Sequence, residues 1–265
     1  MTPKEYFDAG QLTEAISAGT DEVRGHPTDV TRRLFFSELL AFTGDLDRAD
    51  LQLEAILRQE PDAVKVLQFR QLLRAEKSRH EFYSEGRLPE YLHEPPPHLR
   101  LHLEASVRIR EGKLGEAADL LGQAEEQRPA VGGVCDGEPF DFLRDLDDLT
   151  ASFFEILTTN GKYYWVPFEV VESIEFRAPQ RPRELLWRSI HLSVRGGPDG
   201  EVFVPALYWG SHQADDENVR LGRVTDWQGE DGVLIRGIGQ RTLLFGETDR
   251  TILELKNLTI NAPNS

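Results

Sequence analysis

The residues most able to do chemistry here are a group of arginines around one acid: Arg188, Arg223, Asp226, Trp227, Arg236 and Arg241. Arginines clustered in a chain with 46 acidic and 30 basic residues invite two readings. One is an arginine-lined pocket for a carboxylate or the edge of an acidic peptide, because a guanidinium meets a carboxylate through paired hydrogen bonds. The plainer one is internal ion pairing, such as Arg223 with Asp226. A hydrolase or transferase would use Asp226 beside an arginine-stabilised anion, and would need a closed pocket where acid, base and anion stabiliser converge.

Other candidate groups point away from catalysis. Asp141, Asp145, Asp147 and Asp148 could offer oxygen ligands to a hard cation, but their spacing lacks the glycine and glutamate of an EF-hand loop. Acids at the start of a helix are stabilised by its dipole, and that is the reading preferred for them. His98 and His102 stand four apart, yet zinc needs more ligands and no HExxH or CxxC is present, so they read as a solvated helix face. Cys135 is the sole cysteine. It excludes an internal disulfide, fits a reducing compartment, and has no histidine nearby in sequence to activate it. The GxG of IRGIGQR precedes a strand-like stretch rather than a helix, so it is no dinucleotide fingerprint. No metal and no cofactor is expected.

Three adjacent aromatics, Tyr163, Tyr164 and Trp165, lie in GKYYWVPFEVVESIEF at 161–176. In a strand Tyr163 and Trp165 share one face and Tyr164 takes the other. Trp165 is expected in the core, leaving Tyr163 or Tyr164 to present a polar-tipped ring toward the first half or a partner. Alternatively all three fasten the strands to a helix over 141–159.

The elements that must position these groups follow from spacing. GQLTEAISAGTDEVRGHP at 10–27, GDLDRADLQLEAILRQEP at 44–61 and GKLGEAADLLGQAEEQRP at 112–129 align without gaps, at offsets of 34 and 68 residues. That is the length of a tetratricopeptide helix–turn–helix unit. Gly10, Gly44 and Gly112 fall in turns, the Leu and Ala positions share one helix face, and Pro27, Pro61 and Pro129 close each unit. A degenerate copy at 78–95 carries Pro89, expected to shorten or kink its second helix. The spacing predicts helices near 11–24, 29–42, 46–59, 63–77, 97–111 and 114–127. Stacked pairs form a solenoid over 1–130 with a concave face.

A Gly- and Pro-rich stretch, PAVGGVCDGEP at 129–139, reads as a linker. Phe142, Leu146, Leu149, Phe153, Ile156 and Leu157 then recur at helical spacing, with Asn160-Gly161 as the stop. KYYWVPF, LLWRSIHLSV, GEVFVPALYWG, DGVLIRGIG and RTLLFG read as short strands. The fold class is therefore a tetratricopeptide-like helical solenoid followed, over 131–265, by a compact, mostly antiparallel β domain with a leading helix. HQADDENVRLG at 212–222 is expected as an exposed loop leading into a further segment.

The net charge of −16 divides into −7 over residues 1–130 and −9 over 131–265. A surface this acidic disfavours nucleic acid and anionic membranes as partners and fits solubility. No apolar run is long enough to span a membrane, and the first residues lack the apolar core of a signal peptide, so a cytoplasmic place is expected.

GKYYWVP (161–167), ELLWR (184–188), GEVFVPALYWGS (200–211), RLGRVTDW (220–227) and RGIGQRTLLFG (236–246), with GEPFDFLRDLDD (137–148), resemble the ImpE/TagJ family, also called SciE-type proteins. The resemblance covers nearly the whole chain. It implies a non-enzymatic accessory protein of bacterial type VI secretion systems. The expected partner is the small subunit of the contractile sheath, held through one of its helices, with a link to sheath recycling by the ClpV-type AAA+ ATPase.

On this expectation an amphipathic helix docks in the concave face or in the seam between the halves, anchored at i, i+3, i+4 and i+7. Candidate contacts on the first helices of each unit are Arg32, Phe36, Phe69, Leu99 and Leu103. In the second half they are Tyr163, Tyr164, Arg188, Arg223, Trp227 and Arg241. A scaffold that assembles through the open end of its solenoid is a third possibility.

Overall fold

The computed structural model describes residues 1–229 and 233–262. The Asp231-Gly232 start of one expected strand lies outside them. Helices come first. α1 (Pro3–Asp8) begins at a capping box in which Thr2 and Glu5 satisfy each other's backbone N–H groups. It forms a hairpin with α2 (Leu12–Gly25). α3 (Val30–Phe42) pairs with α4 (Leu46–Leu57), and further along α6 (Pro97–Arg110) pairs with α7 (Leu114–Gln127). Asp29 and Asp45 cap α3 and α4. The hairpins turn at Gly10, Gly44 and Gly112, whose φ values of +84°, +71° and +75° lie where a Cβ is penalised. Ala15, Ala49 and Ala117, in phase in the sequence, are all fully buried.

The degenerate copy departs from expectation. One helix, α5 (Val64–Glu85), runs well past residue 77. Ser78 stands where the other copies place the turn glycine, and its hydroxyl donates back to the Arg74 carbonyl, so nothing interrupts the helix. Gly86, at φ +81°, ends it. The chain beyond is extended rather than helical. Its Glu90 N–H donates to the Tyr163 carbonyl at 2.8 Å and its carbonyl accepts from the Trp165 N–H at 3.1 Å. The broken repeat thus becomes a ribbon along a sheet edge.

The second half holds β1 (Gly133–Cys135), β2 (Glu138–Phe140), β3 (Leu143–Asp145), β4 (Phe153–Leu157), β5 (Tyr163–Pro167), β6 (Val171–Phe176), β7 (Trp187–Val194) and β8 (Asp199–Pro205). A four-residue helix, α8 (Glu217–Arg220), precedes β9 (Thr225–Gln228), β10 (Arg236–Gly239), β11 (Thr242–Phe245), β12 (Thr248–Thr251) and β13 (Asn257–Ile260). The main sheet runs β2-β1-β13-β6-β7-β8-β4-β5, with a three-stranded β12-β11-β3 sheet and a β10-β9 ribbon beside it. Every pairing between these strands is antiparallel. A helical-repeat half followed by a mostly antiparallel β half is the fold class expected.

The expected leading helix over 141–159 does not form. β3, a 3₁₀ turn at Asp148–Thr150 and β4 occupy that stretch. All five residues of β4, Phe-Phe-Glu-Ile-Leu, are buried. A strand covered on both faces shows an unbroken apolar run, which periodicity cannot separate from a buried helix. Phe153 and Leu157 join the core shared with the helices, while Phe154 and Ile156 enter a second core on the far side of the sheet.

Residues 211–223 lie across the repeat turns. A Cβ on Gly10 would meet the Arg223 Nη1 at 2.6 Å, and one on Gly44 would meet the His212 ring at 2.6 Å. Glu217 caps α2 from 205 residues away, accepting from the Leu12 N–H at 3.0 Å and the Thr13 N–H at 2.8 Å. The third turn is left uncovered: around Gly112 no described atom lies within 4 Å of a Cβ position. Leu12 and Leu46 are buried, but Leu114, their counterpart in the third copy, is 46% exposed.

Candidate functional site: the seam between helices and sheet

Alternation in β4 and β5 turns Glu155, Tyr163 and Trp165 toward the helices. Glu155 is 1% exposed and sits in an otherwise apolar strand. Its carboxylate accepts from Arg79 Nε at 2.9 Å, Arg79 Nη2 at 3.1 Å, the Tyr83 hydroxyl at 3.1 Å, the Tyr163 hydroxyl at 2.6 Å, and Arg241 Nη2. Trp165 donates to the Tyr163 hydroxyl at 2.6 Å and stacks on Phe153 with ring centres 4.0 Å apart. Arg79 also meets Glu76 at 3.0 Å and the Leu207 carbonyl at 3.1 Å, and Trp187 donates to Glu76 at 2.9 Å. Farther along, Arg241 meets Asp145 at 3.3 Å, Tyr208 donates to Asp145 at 2.7 Å, and Arg236 Nε donates to Asp147 at 2.8 Å.

Burial alone would raise the Glu155 and Glu76 carboxyls. The guanidiniums outweigh it, Arg79 and Arg241 for Glu155 and Arg79 for Glu76, and hold both at about 2. For Asp145 burial wins over Arg241, and its carboxyl rises to about 6. These acids and arginines bind one another across the seam, which makes them a buried clamp.

The structure divides the expected contact residues. Phe36, Phe69 and Leu99 are core residues, at 3%, 2% and 0% exposure, so they pack the helices and form no groove wall. Leu103 is partly buried against the same core. Arg32 is half-buried and pairs with Asp29 at 3.1 Å. Trp165 is buried as expected, and Tyr163 lies in the core with it; Tyr164 alone, on the opposite face, is half-buried. The helix these aromatics were to fasten is absent, and α5 takes its place: Phe82 packs edge-on against Trp165 at 4.8 Å.

Arg188 is buried and donates to the carbonyls of Arg177, Ile252 and Leu255. Arg241 is buried in the clamp. The suggested Arg223–Asp226 pair does not form: Arg223 donates to the Phe7 and Asp8 carbonyls, both at 3.0 Å, and Asp226 accepts from the Trp227 N–H at 2.8 Å. Trp227 is 39% exposed.

Two further expectations need correction. His98 and His102 are 2% and 1% exposed, not solvated. α6 turns them onto the sheet half, where His102 Nε2 lies 2.9 Å from Ser152 Oγ and the ring meets Phe153 edge-on. The acids of 141–148 do not sit at a helix start. Asp145 and Asp147 are buried against Arg241 and Arg236, Asp148 pairs with Arg144 at 2.7 Å, and Asp141 is exposed. Among the described residues no group of three or more His, Cys, Asp or Glu could hold a metal ion. None of their helices is long and apolar enough to cross a membrane.

Beside the uncovered third turn the seam opens into a cleft of about 460 Å³. Ile109 and Leu114 form one wall, Leu234 and Ile238 the other, and Trp209, Arg236 and Gly237 also line it. Sequence reasoning missed Glu76, Arg79, Glu155 and Trp209. A lone Glu inside FFEIL was the available signal: a carboxylate on a buried strand requires a buried cation.

The fold and seam define a class: a helical-repeat scaffold clamped onto an antiparallel β unit, with an apolar cleft between them. The family model described as "ImpE protein" matches residues 137–259. The type VI secretion system accessory component TagJ of Pseudomonas aeruginosa is 30% identical over 260 residues, covering 97% of this chain and 90% of that one. The crystal structure of protein VPA1032 from Vibrio parahaemolyticus superposes with a TM-score of 0.91 at 27% identity, covering 98% of this chain and 97% of that one. The chain belongs to the ImpE/TagJ family.

Proposed function

We propose that this protein is an accessory component of a bacterial type VI secretion system, acting without catalysis in the cytoplasm as an adaptor. Its cleft holds an amphipathic helix of the small contractile-sheath subunit, and through that contact it is linked to sheath recycling by the ClpV-type AAA+ ATPase. The accessory role rests on kinship with TagJ over nearly the whole chain. The observation that carries the binding mode is the third repeat: its turn lacks the cover given to the first two, and Leu114 stands open at the cleft. An apolar groove of this kind suits a helix presenting anchors at one-turn spacing.

The alternative, an Asp226-based hydrolase or transferase, finds less support. Asp226 is exposed and caps its neighbour's N–H. Arg188, Arg223 and Arg241 are committed elsewhere. Affinity purification of the tagged protein from secretion-active cells, with the bound chains identified by mass spectrometry, tests the adaptor reading. The small sheath subunit is expected above control, and lost when its helix is deleted or when Leu114→Glu puts a charge in the cleft. Recovery of no sheath component would sink the reading.

A further inference from the structure

The cleft is apolar on its walls but not featureless at its base. Arg236 rises there on β10, its side chain 16% exposed. Its inner edge is fixed: Nε donates to both oxygens of Asp147, which also accepts from the Gly237 and Leu149 N–H groups. Its guanidinium carbon lies 5.8 Å from the Tyr83 ring centre, and Tyr83 stacks on Trp209 at 4.9 Å. The outer nitrogens, Nη1 and Nη2, bond no described residue. Trp209 Nε1 likewise finds no acceptor among them. The outer edge of Arg236, held rigid beneath aliphatic walls, suits a ligand that brings an acceptor.

We infer that the cleft recognises a carboxylate: the docked helix presents an aspartate or glutamate between its apolar anchors, and Arg236 binds it through Nη1 and Nη2. This rests on the adaptor reading for its occupant, but the chemistry is set by the cleft alone. Asp147 shares its charge with two backbone N–H groups, so the guanidinium keeps a positive outer edge. A fixed planar fork gives an acid both affinity and orientation. A lysine placed at the same point would face the like charge of Arg236 and be disfavoured.

The test uses the whole protein with octanoate and octylammonium as probes, followed by the Trp209 indole N–H resonance, alongside binding of the purified small sheath subunit. Octanoate should bind saturably and at least tenfold more tightly than octylammonium, and Arg236→Met should abolish that preference. Octanoate should also compete with the sheath subunit. Equal binding of the two probes, or no shift with either, overturns the inference, and this comparison on the unmodified chain stands even if Arg236→Met does not fold. Octanoate selectivity without sheath binding keeps the carboxylate site and removes the adaptor reading. Sheath binding indifferent to octanoate and to Arg236→Met keeps the adaptor and overturns the inference.

Discussion

Glu155 shows how one residue can tie two halves of a chain together. Its carboxylate receives two arginines, Arg79 from α5 and Arg241 from the β half, and two tyrosines. Removing its charge leaves Arg79 and Arg241 buried without their shared partner. Losing one member of a buried ion pair costs about 3–5 kcal/mol. Glu155→Gln should therefore lower the urea midpoint strongly, while Tyr163→Phe, which removes one hydrogen bond to a charged group and leaves the buried Trp165 indole N–H without its acceptor, should cost about 1.5–3 kcal/mol for the first and about 1–3 kcal/mol more for the second. Equal midpoints for Glu155→Gln and the parent would show that the clamp contributes nothing. The sequence announced the arginines but not their partners. Arg241 and Arg236 stood out in an acidic chain, yet their acids lie on β3, β4 and the intervening turn, and no spacing rule joins residues 86 and 89 positions apart.

At the scale of elements, legibility followed locality. The three glycine-turned hairpins repeat at a fixed period, so α2, α4 and α7 fell close to their expected places. α5 did not, because Ser78 permits a helix where glycine would have turned it. β4 was misread because its far-side cover comes from strands remote in sequence, which gave it an apolar run instead of alternation. The covered turns invite a direct comparison. Gly44→Ala forces a left-handed Cβ and pushes it into His212, whereas Gly112→Ala meets the backbone penalty with open space around it. A left-handed alanine costs about 1–2 kcal/mol. Gly112→Ala should lose about that much and Gly44→Ala more, measured by thermal denaturation. A reversed order would mean that 211–223 does not press on the second turn.

At the scale of the molecule, buried histidines set the response to acid. Burial holds His98, His102 and His212 at about 4, 3 and 4, all below the ordinary 6.5. The unfolded chain takes up protons at these sites below pH 6.5 while the fold resists them, so stability falls as pH drops from 6.5 toward 4. Asp145 acts in the opposite sense: raised to about 6, it disfavours the fold above that pH, and the cost is relieved between 6 and 3.8. Glu155 and Glu76, held at about 2, lose their contribution only as pH falls below 4.5. Burial also raises the Glu38 and Glu169 carboxyls, which act with Asp145, but the three histidines outweigh them and leave a net fall between pH 6.5 and 4.5, steepening below. Urea midpoints at about pH 7, 5 and 4 should decline in that order; a midpoint that held or rose over the first of these steps would contradict it. The same shared core bears on the division at 130. Residues 1–130 alone would expose the surface that Phe153 and Trp165 cover, and such a fragment should melt without a sharp transition by circular dichroism.

Glu217 caps a helix that begins at Leu12, and Arg223 closes the turn at Gly10. During synthesis these partners leave the ribosome long after the helices they complete. The first hairpin must then wait outside the ribosome with the leading amides of its second helix bare, and the scaffold cannot reach its finished form until most of the chain has been translated.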